Sequence, residues 1–134
     1  MKTLTGLTLT GLTLAVTLIA GAAGATHPGG KMVPVVVPDL SPEAIRGAAR
    51  FDAKCASCHG TAGAGNDMAG PPPIHKIYEP GHHGDAAFYF APLRGAQAHH
   101  WRFGDMPPVA GFTEEDARLI TIYIREVQKA NGIF

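Results

Sequence analysis

The sequence predicts an all-α fold of one small domain, and three observations support this. Two segments carry helix caps and apolar residues at helical spacing, one leading into the cysteines and one near the C-terminus. Between them the chain is so rich in glycine and proline that long regular elements are excluded over most of the stretch. No strands are needed to account for the rest, and the chain has no internal domain repeat.

The first predicted helix covers the segment SPEAIRGAARFDAKCASC. Ser41 is a good N-cap, Pro42 fits the first helical position, and Glu43 suits the positive end of the helix dipole. Four residues recur at helical spacing on one face, namely Ile45, Ala48, Phe51 and Cys55. We therefore expect the cysteine motif at the end of a helix and not after a strand.

A shorter helix is predicted in DAAFYFAPLRGA, after a loop that extends from residue 60 to residue 84. Asp85 is the expected cap, and Gly95 is the expected end. Pro92 should stop or kink this helix at Ala91, because proline lacks the backbone N–H of a helix interior.

The last helix is the clearest element, and it follows a proline-stiffened loop over residues 104–112. Thr113 and Asp116 have the spacing of a capping box, although aspartate is shorter than the usual glutamate. An apolar stripe then continues at helical spacing, and Gly132 is a natural stop. The stripe consists of Leu119, Ile120, Tyr123, Ile124 and Val127.

The only two cysteines of the chain, Cys55 and Cys58, lie in the segment CASCHG with His59 directly after them. A zinc site needs about four ligands, and the next histidine, His75, lies too far away for finger spacing. A dithiol redox site expects a preceding strand, which is not predicted. Cys-x-x-Cys-His is the signature of covalent haem attachment. The motif therefore predicts one covalent haem c, with His59 as the proximal iron ligand.

Residues 1–25 have the composition of a secretory signal peptide, with an early lysine, an apolar run and small residues at the end. We expect cleavage near Ala25 and export to the periplasm, whereas an uncleaved segment would anchor the chain in a membrane. Export agrees with the motif, because haem attachment consumes thiols that would otherwise form a disulfide. The expected organisation is a leader, an extended arm at 26–40 and one domain at 41–134.

The composition narrows the possible partners. Acidic and basic residues balance, with 11 of each, and they are dispersed along the chain. No basic stripe or interleaving of aromatic and basic residues is present, which argues against nucleic-acid binding. A buried haem would supply much of the apolar surface that this glycine- and proline-rich chain lacks.

The order of the motifs resembles that of class I (monohaem) cytochromes c of the bacterial periplasmic type. Gly47 and Phe51 precede CASCH, a GPPP loop and GDMPP follow, and the terminal helix carries a central tyrosine. The resemblance extends over nearly the whole domain from Ser41 onwards. It implies a cytochrome c fold, in which the terminal helices cross and short middle helices and long loops surround one covalent haem.

The resemblance also implies roles for individual residues. Cys55 and Cys58 would form the thioethers, and Met106 would be the distal iron ligand. The carbonyl of Pro71 would accept a hydrogen bond from His59. Gly47 and Phe51 would pack against Leu119 and Tyr123 where the terminal helices cross.

Other positions of the haem environment are left open by the sequence. An extra proline in GPPPI leaves Pro73 and Ile74 as alternative apolar contacts. Trp101, Arg102 and Arg94 are candidates to face a haem propionate. Met68 follows His59 too closely to reach the opposite haem face.

Iron with two protein ligands has no open position for a substrate, so the expected function is one-electron transfer and not an enzymatic activity. Its partners would be redox proteins, such as an oxidoreductase or a terminal oxidase. One alternative is a haem enzyme with peroxidase-like or gas-binding chemistry, if Met106 is labile. Another is a metal-handling accessory subunit.

Two histidine pairs are not explained by haem ligation. His82 and His83 lie in PGHHGD, and His99 and His100 lie in QAHHWRF. Three interpretations stay open, namely surface or capping histidines, an additional copper or zinc site, and a histidine bonded to a propionate that tunes the haem with pH. His99 or His100 is also the alternative to Met106 as distal ligand.

Overall fold

The computed structural model describes residues 29–134, in which four α-helices are joined by long loops. The predicted leader at 1–25 and residues 26–28 of the arm lie outside the described residues. The helices are α1 (Pro42–Lys54), α2 (Ala56–His59), α3 (Asp85–Arg94) and α4 (Glu114–Ala130), with single 3-10 turns at Thr61–Gly63 and Lys76–Tyr78. Over the described range there are only two isolated β-bridges and no helix long and apolar enough to cross a bilayer. The all-α prediction is confirmed.

The cap at the start of α1 forms as predicted. The side chain of Ser41 accepts a hydrogen bond from the backbone N–H of Ala44 at 3.2 Å. The same hydroxyl donates to the carboxylate of Glu126 on α4 at 2.6 Å, so the cap also joins the two terminal helices. Ile45, expected on the buried face, is exposed, because the row of residues that begins at Ala44 faces α4 instead.

The predicted crossing of α1 and α4 is confirmed. Gly47 approaches α4 so closely that a Cβ at this position would lie 2.1 Å from the carbonyl oxygen of Leu119. One turn further on, the ring of Phe51 packs against Tyr123 with 5.6 Å between the ring centroids. The absence of a side chain at Gly47 therefore permits the approach that buries both aromatic rings.

The predicted capping box opens α4. Thr113 and Asp116 exchange two hydrogen bonds between side chain and backbone, at 3.0 and 3.1 Å. The buried carboxylate of Asp116 also contacts Arg50 and, at 3.3 Å, Lys54, both on α1. Burial alone would raise the pKa of Asp116, but the hydrogen bonds from Thr113 and the two cations outweigh it and hold the pKa well below its usual range.

The start of α3 differs from the prediction. The cap is Gly84, and Asp85 is the first helical residue. The carboxylate of Asp85 does not turn back to the helix end but forms an ion pair with Arg125 of α4 at 2.7 Å. This tertiary contact replaces the local cap that the sequence indicated.

The helix α3 ends at Gly95 as predicted, but it continues through Pro92 to Arg94 and does not stop at Ala91. Pro92 lies in the last turn, where the cost of a missing N–H is smaller than in the helix middle. Its carbonyl accepts a hydrogen bond from the backbone N–H of Val109 at 2.8 Å. The loop after α3 thus holds the proline-containing turn in place.

Residues 29–40 form an extended arm across the domain. The backbone N–H groups of Met32 and Val33 both donate to the carbonyl of Ala64, at 3.0 and 3.1 Å. The side chain of Asn131 accepts from the N–H of Val36 at 2.9 Å and donates to its carbonyl at 2.7 Å. The arm therefore connects the loop after α2 with the end of α4.

Candidate functional site

An apolar cavity of about 370 Å³ opens between the helices and the loops. Proteins hold small molecules and cofactors in cavities of roughly 300–1,000 Å³. Cys55, His59, Pro71, Trp101 and Met106 all line this cavity. The fold thus brings the cysteine motif, the proline loop and the methionine loop to one place, as the resemblance implied.

The imidazole of His59 is held by the proline loop. Its Nδ1 lies 2.8 Å from the carbonyl oxygen of Pro71, which can only accept, so Nδ1 carries the proton and Nε2 keeps its lone pair. Burial lowers the pKa of His59, and the hydrogen bond to Pro71 opposes this shift. The neutral ring is the form that binds a metal ion. The predicted contact between Pro71 and His59 is confirmed.

Cys55 and Cys58 are free thiols; Cys55 is the N-cap of α2, and Cys58 lies within this short helix. Cys55 is half-buried and lines the cavity, whereas Cys58 is exposed. Burial raises the pKa of Cys55 to about 12, and the negative charge of Asp116 adds to this effect.

Met106 is positioned by the end of α3. It forms a two-way backbone bridge with Ala96, with N–H···O distances of 2.8 and 2.9 Å. Gly95 has a φ of +84°, and a Cβ there would lie 2.8 Å from the Met106 carbonyl oxygen, so this approach requires glycine. Pro107 and Pro108 follow and restrict the backbone on the other side. The backbone of Met106 is therefore fixed at the cavity.

Trp101 provides an independent test of whether the cavity fits a haem group. Its indole N–H is buried and, among residues 29–134, has no hydrogen-bond partner. Burial raises the pKa of Tyr78 and the nearby indole N–H opposes this, but the two groups do not reach hydrogen-bond geometry. A buried donor without an acceptor costs about 1–3 kcal/mol. A carboxylate at the edge of a bound haem would supply the missing acceptor. The position of Trp101 is therefore compatible with haem in this cavity.

The structure distinguishes between the two residues that the sequence left as alternative apolar contacts of the haem. Pro73 lines the cavity, whereas Ile74 is buried in the core beneath it. Met68 is 76 % exposed, which agrees with its exclusion as an iron ligand.

Arg102, predicted in the haem environment, lies outside the lining of the cavity. Its guanidinium donates to the carbonyl of Asp67 at 2.7 Å. Arg94 is directed elsewhere as well, since its guanidinium lies 4.1 Å from the ring centroid of Phe90. Local contacts on the surface therefore hold both arginines away from the cavity wall.

The two predicted histidine pairs meet at the edge of the cavity. The Nε2 atoms of His82 and His100 are 3.2 Å apart, and those of His83 and His99 are 3.3 Å apart. His83, His99 and His100 also line the cavity. We refer to these four residues as the histidine cluster.

Two polar residues of α4 that organise the site were not predicted. The side-chain amide of Gln128 is fully buried and donates to the carbonyls of Pro73 and Tyr78, at 2.9 and 3.1 Å. Arg125 donates to the same Tyr78 carbonyl at 2.9 Å and to the side-chain oxygen of Gln128 at 2.6 Å. Together they attach the loop after the prolines to the terminal helix.

Comparison with known proteins places these features in a family. A family model described as Cytochrome c matches residues 44–128, a range that includes the cysteine motif, the proline loop, Met106 and most of both terminal helices. The searches of curated proteins and of solved structures found no match. With this match over more than half of its length, the chain belongs to the cytochrome c family, whose members bind haem c and transfer electrons.

Proposed function

We propose that this protein is an exported one-electron carrier that holds one haem c through thioethers at Cys55 and Cys58, with His59 and Met106 as the axial iron ligands. The main support is the convergence of Cys55, His59 and Met106 on one apolar cavity, with Nδ1 of His59 2.8 Å from the Pro71 carbonyl. Haem c, when bound, supplies one-electron exchange between ferric and ferrous iron. Two protein ligands leave no position for a substrate, which favours electron transfer over catalysis.

Each residue of the site has a distinct task in this proposal. The Pro71 carbonyl fixes the tautomer of His59 and raises its donor strength. The thioether of Met106 favours reduced iron and so raises the potential. Trp101 offers its N–H to a haem carboxylate, and the apolar lining excludes water, which also affects the potential.

Substitution of Met106 tests the ligation directly. Met106→Ala should lose the weak far-red sulfur-to-iron band of the oxidised protein, bind carbon monoxide when reduced, and have a lower potential. Met68→Ala is the matched control, because this methionine is exposed. An unchanged spectrum in Met106→Ala would contradict the proposal and would direct attention to His99 or His100.

Covalent attachment has its own test. Protein made with periplasmic haem maturation should keep its haem through acid–acetone extraction, whereas a Cys55→Ser, Cys58→Ser double variant should release it. Free extraction of haem from the unsubstituted protein, or a disulfide between Cys55 and Cys58 in the exported protein, would contradict the proposal.

Export and partners are part of the same proposal. The mass of the exported protein should correspond to cleavage near Ala25, and full-length protein in the membrane fraction would indicate an anchor instead. Pull-down of the haem-loaded protein, combined with a potential titration, should identify a redox partner such as an oxidoreductase or a terminal oxidase. The competing function, a haem enzyme, would be favoured if the unsubstituted reduced protein bound carbon monoxide at once.

A further inference from the structure

The histidine cluster is formed by two separate segments that meet in space. His82 and His83 lie in the turn before α3, and His99 and His100 lie in the loop after it. One ring nitrogen from each of His82, His83 and His100 can be chosen so that all three lie within 4.8 Å of one another, and His99 joins them through His83 at 3.3 Å. Four imidazoles thus converge on a small volume at the protein surface.

The orientation of two of these rings is set by backbone carbonyls. Nδ1 of His83 lies 2.8 Å from the carbonyl oxygen of Ile77, and Nδ1 of His99 lies 2.7 Å from that of Gln97. A carbonyl oxygen can only accept, so in both rings Nδ1 carries the proton. When both rings are neutral, their Nε2 atoms face each other at 3.3 Å as two lone pairs. Two acceptors at this distance repel unless a proton or a metal cation lies between them.

Within each of the two histidine pairs, His82–His100 and His83–His99, the distance matches that between two ligands of one metal ion. A tetrahedral ion with metal–nitrogen bonds of about 2.0–2.1 Å has its ligand nitrogens about 3.3–3.4 Å apart. The two Nε2–Nε2 distances in the cluster are 3.2 and 3.3 Å. Histidine ligands of metals commonly donate their other N–H to a backbone carbonyl, as His83 and His99 do here.

The surroundings of His83 keep this residue ordered and neutral. Arg125 donates to the backbone carbonyl of His83 and forms an ion pair with Asp85, so this carboxylate is already engaged and is not needed as a ligand. Burial lowers the pKa of His83, and the neighbouring histidines and Arg125 lower it further, whereas the bond to Ile77 opposes the shift. Neutral imidazole is the form that binds zinc and copper ions.

We propose that the histidine cluster binds one divalent cation of the zinc or copper(II) class, with His82, His83 and His100 as ligands and His99, which contacts His83, able to approach as a fourth nitrogen donor. The site is distinct from the proposed haem ligands, because none of His59, Met106 and the two cysteines belongs to it. It is an addition to electron transfer and does not depend on the identity of the axial ligands.

The test is calorimetric titration of zinc and, separately, copper(II) into the haem-loaded protein after chelator treatment. The protein is prepared without a histidine tag and in a His27→Gln background, because His27 lies outside the described residues and near the expected mature N-terminus. We expect one ion per chain. His83→Gln should weaken binding by roughly 100-fold or more, since loss of a ligand should exceed the 10–100-fold effect of losing an outer-shell partner.

The matched control is His75→Asn. His75 belongs to neither pair, and its Nδ1 accepts a hydrogen bond from the backbone N–H of Ile77 at 3.2 Å, which an asparagine oxygen can also do. This variant removes one imidazole and should bind the ion with unchanged affinity. Equal affinity in His83→Gln and His75→Asn would overturn the proposal.

A second measurement keeps the proposal testable if His83→Gln fails to fold. The copper(II)-loaded, otherwise unsubstituted protein should give an electron paramagnetic resonance spectrum with hyperfine structure from at least three nitrogens. A spectrum with fewer nitrogens, or the absence of saturable binding of either ion, would overturn the proposal.

Discussion

Gly47 lies where α1 and α4 come into close contact, and we expect Gly47→Ala to weaken this contact. The added Cβ would lie 2.1 Å from the Leu119 carbonyl oxygen and 2.8 Å from the Tyr123 Cβ. Neither atom can turn away, because one belongs to the backbone and the other is attached directly to it. Ordinary contact begins at 3.4 Å, so the helices would have to separate locally by about 1.3 Å.

The size of the effect follows from two opposing contributions. Overpacking in a core costs about 1–3 kcal/mol, and the upper end applies here because the obstacle is backbone. The better helix propensity of alanine offsets about 1 kcal/mol of this cost. We therefore expect the free energy of unfolding to fall by about 2 kcal/mol and the Tm to fall by roughly 10 °C.

The assay is urea unfolding of the haem-loaded protein, followed by far-UV circular dichroism and by haem absorbance. Gly81→Ala is the control, because a Cβ at Gly81 would meet nothing within 4 Å. This control should change the free energy of unfolding by less than about 0.5 kcal/mol. A Gly47→Ala protein with an unchanged or higher urea midpoint would refute the argument that the helix crossing requires glycine.

Three further predictions concern polar groups. Asp116→Asn should lower the free energy of unfolding by about 1–3 kcal/mol at neutral pH. Because the folded-state pKa of Asp116 is depressed, this difference should be present above pH of about 4 and should disappear as the pH falls through the folded pKa, in urea titrations at several pH values. Gln128→Leu leaves the Pro73 and Tyr78 carbonyls without this donor and should cost about 2–3 kcal/mol by the same method. Trp101→Phe should keep the fold, as judged by circular dichroism, but lower the haem potential in a redox titration. An unchanged potential would show that the Trp101 N–H does not interact with the haem.

The elements that the sequence predicted well are those with local signals. The capping box of Thr113 and Asp116 and the N-cap of Ser41 act within one helical turn, so residue types at fixed spacing were enough to locate both helix starts. The contact between Pro71 and His59 was also expected, because the order of the motifs resembles that of class I cytochromes c and this resemblance implies the contact.

The features that were missed depend on contacts between distant parts of the chain. α3 passes through Pro92, and Val109, near the far end of the loop that follows α3, bonds to the proline carbonyl. Gln128 bonds to backbone carbonyls, which carry no residue-specific signal in a sequence. One hint was available, since Gln128 continues the row of Ile120 and Ile124 at intervals of four.

The histidine cluster was predicted only in part. The doublets were visible in the sequence, and their meeting in space was one of the possibilities that it left open. That the Nε2 atoms of His83 and His99 face each other follows only from the carbonyls of Ile77 and Gln97, which set the orientation of the rings. The sequence thus indicated the residue types, and the backbone around them determines their geometry.

The crossing of α1 and α4 joins the two ends of the domain, and this affects which parts of the domain can open separately. Roughly 60 intervening residues must close as a loop before the crossing can form, at an entropic cost of about 4 kcal/mol. In native-state hydrogen exchange, the amides of α1 and α4 at the crossing should therefore exchange only by global unfolding. The amides of Ala96 and Met106 lie within that loop and should exchange by a smaller opening. Met106, His99 and His100 would then share one cooperative unit, which can open and close while the terminal helices stay paired.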